Sequence, residues 1–105
     1  MLDVGYIEYK NEKYPVRVSY KALKGYKKKV GKNFDGDTNF DDLEVLLYFA
    51  LKVGAEYEGI DFNFKENEME DVLDECFIPF QRLIPKFFIT NDDLGVEGDV
   101  KKKKK

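Results

Sequence analysis

The first twenty residues alternate, and the rest of the chain up to about residue 90 repeats at helical spacing. In VGYIEY, the positions Val4, Tyr6 and Glu8 face one way, while Ile7 and Tyr9 face the other. In YPVRVSY, Val16 and Val18 alternate against Arg17 and Ser19. Between these runs the polar stretch KNEK predicts the loop of a hairpin over residues 4–19. Pro15 has no N–H to give a ladder, which predicts a strand start or an edge for it.

Period two gives way to helical period at Ser19, a candidate N-cap. Tyr20, Leu23, Tyr26 and Val30 form a stripe on a helix predicted over 20–30. Lys27, Lys28, Lys29 and Lys32 suit its C-terminal end, and Gly31 stops it. A polar loop, 33–39, leads to a second helix over 40–55, with Thr38 or Asn39 as cap. Its Leu43, Leu46, Leu47, Ala50, Leu51 and Gly54 recur at helical spacing. Val45, Tyr48 and Phe49 widen the apolar face almost all round, which predicts the buried centre of the domain or a partner-covered helix.

The connector EYEGIDFNF offers Ile60 and Phe62 to the core. Asn63 or Asn67 can cap a third helix over 64–77, with Met69, Val72, Leu73 and Cys76 as its stripe. Pro79 suits the first turn of a fourth helix over 79–89, carrying Phe80, Leu83, Ile84, Phe87 and Phe88, with a kink at Pro85. From Asn91 the chain is polar and ends in five lysines, Lys101 to Lys105, which predicts disorder over 91–105. The class is therefore α+β, mostly α: an N-terminal β-hairpin and three to four helices in one domain, residues 1–90, with no internal repeat.

Composition narrows the chemistry. Histidine is absent and Ser19 is the sole serine, which removes the usual general base and the usual nucleophile pair. The single cysteine, Cys76, can form neither an internal disulfide nor a cysteine metal site, and its place on an apolar stripe makes it a core residue. No apolar stretch is preceded by a basic leader, and the longest apolar run, Val45 to Leu51, is too short to cross a bilayer. An intracellular protein without enzymatic activity, cofactor or metal is expected.

Three patterns compete with a structural explanation. The loop from Asn33 to Glu44 spaces oxygen side chains like a calcium-binding EF-hand, but Thr38 replaces the required glycine and Gly36 falls two places early. The lysines of KALKGYKKKVGK could grip phosphates, yet the chain carries a net charge of −3 and only two arginines. The carboxylates from Glu66 to Glu75 fit a solvated helix face better than a metal or proton site. Charge is also segregated: residues 1–32 balance to +6 and residues 33–78 to −12, suggesting a partner of complementary surface.

The order of elements carries a resemblance. A hairpin leads to Tyr20-Lys21-Ala22-Leu23, then to Asp42-Leu43-Glu44 and Lys52-Val53-Gly54 bracketing a leucine-rich helix. An acidic helix with Leu73-Asp74 follows. Over residues 4–90 the chain resembles the tail assembly chaperones of long-tailed phages and prophages. The resemblance implies no active site. It implies binding of the tail tube and tape-measure proteins in the cytoplasm of a bacterial host, and absence from the mature virion. The client surface would come from residues 43–51 and 77–89. Members of the family often have a longer form made by ribosomal frameshifting, and five consecutive lysine codons make an A-rich message of the slippery kind.

Phe80, Leu83, Ile84, Phe87 and Phe88 are the candidate partner-binding residues, for a client or for self-association. Phe87 and Phe88, beside a polar tail, are expected to be removable without loss of the fold. The alternative function is a small acidic adaptor, or a phage-encoded inhibitor binding a basic host protein.

Overall fold

The computed structural model describes residues 3–34 and 40–88. Strands β1 (Gly5–Tyr9) and β2 (Glu12–Val16) form an antiparallel hairpin, followed by α1 (Tyr20–Val30), α2 (Phe40–Glu58), a single 3₁₀ turn at Glu66–Glu68 and α3 (Met69–Phe88). The α+β, mostly α class holds. The calcium-like loop, the Thr38 or Asn39 cap and the 91–105 tail fall wholly or partly outside the described residues.

The hairpin loop has two residues where the polar run suggested four. Lys10 and Asn11 both take positive φ, 52° and 67°, so Glu12 and Lys13 join β2. This is the turn whose twist matches that of the strands. Ile7 is buried and Tyr9 half-buried, whereas Tyr6 and Glu8 are exposed, as the alternation predicts.

Both outer edges of this two-stranded sheet are covered by helix, which blocks further strand pairing. Tyr9 pairs with Glu12 and Tyr6 with Pro15. Counting from the two-residue turn, Tyr6 and Pro15 are a non-hydrogen-bonded pair, so the missing N–H of Pro15 costs the ladder nothing. Beyond it, the Arg17 N–H donates to the Ala50 carbonyl of α2 at 3.0 Å. On the β1 side, the Glu8 carbonyl accepts from the Cys76 thiol at 2.8 Å, and the strained Lys10 N–H donates to the Glu75 carboxylate at 2.8 Å.

α1 begins after Ser19, whose side chain makes no cap bond, and ends at Gly31 in the left-handed region with φ 94°. Its buried stripe is corrected: Ala22 and Tyr26 are buried, Leu23 and Val30 half-buried, and Tyr20 is 79% exposed. The stripe turns because small residues form the contact with α2. A Cβ on Gly25 would come within 2.6 Å of the Phe49 ring, so the helices meet too closely for bulk.

α2 runs to Glu58, three residues beyond the predicted end. Gly59 (φ 71°) closes it with the Ile60 N–H on the Ala55 carbonyl and the Gly59 N–H on the Glu56 carbonyl, the paired bonds of a Schellman cap. Leu43, Leu46, Leu47, Ala50 and Leu51 are buried, which makes α2 the centre of the domain as its pattern predicts. Ile60 is half exposed, and Phe62 packs on the core in its place.

The two final helices predicted as 64–77 and 79–89 are one helix with a break. Neither Asn63 nor Asn67 caps it. Instead Lys65 precedes the 3₁₀ turn, its N–H bound by the Glu68 carboxylate at 2.6 Å and its carbonyl by the Glu68 N–H at 3.0 Å. Within α3 the only non-helical backbone is at Cys76 (φ −118°), three residues before Pro79, whose ring would strike the Glu75 carbonyl of a straight helix. The predicted kink at Pro85 is absent. Phe80 and Phe87 are core residues, at 0% and 2% exposure.

Burial, and secondarily the nearby Glu75 and Glu8 carboxylates, push the Cys76 thiol up to about 11. At pH 8 only about one thiol in a thousand is then ionised. Iodoacetamide is expected to alkylate the folded protein about 100-fold more slowly than the urea-unfolded chain. Equal rates would show that Cys76 is not buried.

Candidate functional site

Among the described residues seven large apolar side chains are exposed, and polar neighbours account for three of them. Tyr6 donates to the Glu58 carboxylate, Arg17 lies over the Tyr57 ring at 4.3 Å, and Lys24 sits 6.0 Å from the Tyr20 ring. The others are pure hydrocarbon: Phe40, Ile60, Ile78 and Phe88.

Phe40 and Phe88 border one apolar face. Phe77, Gln81, Ile84, Pro85 and Phe88 recur three or four apart along the second half of α3 and therefore share one side. Phe40, the first residue of α2 and 72% exposed, meets Phe77 edge-on with centroids 5.7 Å apart. Phe34 stacks on Phe88 at 5.8 Å and abuts Tyr26 at 5.5 Å. Phe40, Leu43, Phe77 and Ile84, with Phe34, enclose a cleft of about 240 Å³ between the start of α2 and the end of α3.

The five residues expected to bind a partner are thus divided. Phe80 and Phe87 are buried and unavailable, Leu83 and Ile84 are half-buried, and Phe88 is 39% exposed. Of 43–51, only Val45, Tyr48 and Phe49 reach the surface among apolar positions, and only in part. Sequence reasoning missed Phe40 and Phe34, and reached Phe77 only as the first residue of the 77–89 segment. Phe40 adjoins acidic first-turn residues and reads as a helix start, while Phe34 lies six residues away in a polar loop, so no local period joins them.

A second cleft, of about 310 Å³, lies at the other end of α2, between β2 and the α2–α3 connector. Tyr14 and Phe64 meet edge-on at 4.9 Å, Tyr9 and Phe64 lie 6.3 Å apart, and Phe62 is 6.2 Å from Phe64. Glu12, Asp61 and Glu68 add three carboxylates to its lining. Burial first, then a 3.2 Å hydrogen bond to Glu12, raises the Tyr14 phenol above its ordinary value, so it stays a neutral donor.

The charge segregation is partly consumed within the fold. Lys21 pairs with Glu56 at 2.7 Å, Lys29 with Glu66 at 3.1 Å and Lys32 with Asp42 at 4.0 Å, each linking the basic first third to the acidic middle. Lys21, Lys29 and Glu66 are more than half exposed, and such surface pairs contribute about 0–1 kcal/mol apiece. No group of carboxylates and thiols among the described residues is arranged to hold a metal ion, the Glu66–Glu75 run included. No helix among them is long and apolar enough to cross a membrane.

The described residues form a small α+β domain with several surface clefts, the two above among them. Comparison with family models, with curated proteins and with solved structures returned no match.

Proposed function

We propose that the chain is a non-enzymatic tail assembly chaperone, which holds the tail tube or tape-measure protein of a long-tailed phage soluble in the host cytoplasm before assembly. The observation that carries this reading is the aromatic cleft between Phe40 at the start of α2 and Phe77 and Ile84 on α3. A soluble domain that leaves a phenylalanine 72% exposed beside such a cleft presents the apolar contact a client segment needs. The ordered resemblance over residues 4–90 supplies the class of client. The cleft adjoins the 77–89 segment that the resemblance names, with the buried Phe80 and Phe87 removed from it.

The test is a double substitution on the exposed lip. Phe40→Ser with Phe88→Ser is expected to lower the melting temperature only slightly while abolishing co-purification with the co-expressed tail tube or tape-measure protein. A stable double variant that retains its client at wild-type yield would overturn the cleft as the binding site. An acid-lined aromatic cleft favours the second reading, an acidic adaptor or inhibitor of a basic host protein. Under that reading the same lip variant captures its partner undiminished.

A further inference from the structure

We infer that the cleft between β2 and the α2–α3 connector is a binding site for a cation, and that it takes a lysine or arginine side chain from a partner polypeptide. The inference holds under either functional reading, because it concerns the opposite end of α2 from the Phe40 cleft.

Three features of the cleft specify the ligand. Its walls include the rings of Tyr9, Tyr14, Phe62 and Phe64, all half-buried and in mutual contact, so their faces and edges are held by packing. Its lining contains Glu12, Asp61 and Glu68 and neither lysine nor arginine, which disfavours an anion. Asp61 has no hydrogen bond or ion pair to any described residue, and one Glu68 oxygen is engaged by the Lys65 N–H. An aromatic surface beside carboxylates attracts a cation through the negative face of the rings and through charge together.

The chain already uses this chemistry at the rim. The Lys10 Nζ lies 5.3 Å from the Tyr9 centroid, so one cation rests on one of the four rings. Tyr14, Phe62 and Phe64 remain for a ligand. The volume, about 310 Å³, is at the lower end for ligand clefts and suits one long basic side chain with accompanying water. A polypeptide source follows from position. The cleft borders β2 and an extended connector, so a bound side chain can be presented by backbone lying along the surface.

The experiment titrates the full-length chain with three decapeptides, alternating glycine with lysine, serine or glutamate, while aromatic-ring NMR shifts are followed. The lysine peptide alone is expected to shift the Tyr14, Phe62 and Phe64 rings, and added salt should weaken it. Asp61→Asn and, separately, Phe64→Leu should each reduce its affinity at least fivefold. Phe64→Leu keeps every charge, so its loss separates ring recognition from general attraction to an acidic surface. Should Phe64→Leu fail to fold, the exposed Asp61→Asn variant decides. Equal shifts with the serine peptide, or undiminished affinity in Asp61→Asn, would overturn the site. Binding that appears only after Lys101 to Lys105 are replaced by serine would overturn the partner as the occupant, since the chain's own terminus would then fill the site.

Discussion

Phe87→Ser is expected to destabilise the domain by about 3–5 kcal/mol, the cost of emptying a buried aromatic site and placing a hydroxyl there. Phe87 is 2% exposed and borders a cleft with Val18 and Leu23, so it joins the end of α3 to the β2–α1 junction. A domain of this size has about 5–15 kcal/mol in all, so the loss is a large share. The melting temperature should fall by more than ~10 °C. Its neighbour Phe88 is 39% exposed, and Phe88→Ser should cost much less. The sequence alone grouped the two as dispensable client contacts, and the structure separates them. A Phe87→Ser variant that melts with the wild type would put Phe87 back on the surface.

Gly54→Ala should also destabilise, against the sign that helix propensity predicts. In an exposed helix interior the change stabilises by about 1 kcal/mol. Here a Cβ would stand 2.4 Å from the Pro15 carbonyl oxygen, 2.6 Å from its carbon and 2.9 Å from the Val16 nitrogen. All three are backbone, and none can swing away. α2 must retreat from β2, which lengthens the 3.0 Å bond from the Arg17 N–H to the Ala50 carbonyl and opens the core beneath. A net loss of about 2 kcal/mol in urea unfolding is expected. Gly25→Ala is the comparison and should cost less, because the nearest atoms its Cβ would meet, at 2.6–3.0 Å, belong to the half-buried Phe49 side chain, which can shift where backbone cannot. A Gly54→Ala protein more stable than the wild type would mean that α2 and β2 are not in that contact.

Gly54 shows what periodicity carries and what it omits. Its helical spacing with Leu43, Leu47 and Leu51 placed it on the inner face of α2, where it lies. Nothing local indicated that the neighbour would be the backbone of Pro15. For α1, the same method chose Tyr20 because it is large and apolar, and Tyr20 is exposed. The true contact uses Ala22 and Gly25, whose small size allows close approach, and small residues carry little weight in an apolar pattern. The Cys76 break was legible in principle, since Pro79 obstructs the Glu75 carbonyl. Yet Pro79 at a helix start accounts equally well for the same residues.

By itself, the sequence determined the change of period at Ser19, the hairpin faces around Ile7, Val16 and Val18, the stop at Gly31 and the central place of α2. Each depends on residues within a few positions of one another, where side-chain direction follows from strand or helix geometry. Only the tertiary structure decided which aromatics of α3 are core and which are surface, how both hairpin edges are sealed, and where the clefts at the two ends of α2 lie. Phe34 meets Phe88, and the Cys76 thiol reaches the Glu8 carbonyl 68 residues earlier. Contacts at that separation depend on how whole elements pack. A residue's own pattern states only that it has an apolar side, whereas the neighbouring elements decide whether that side is covered.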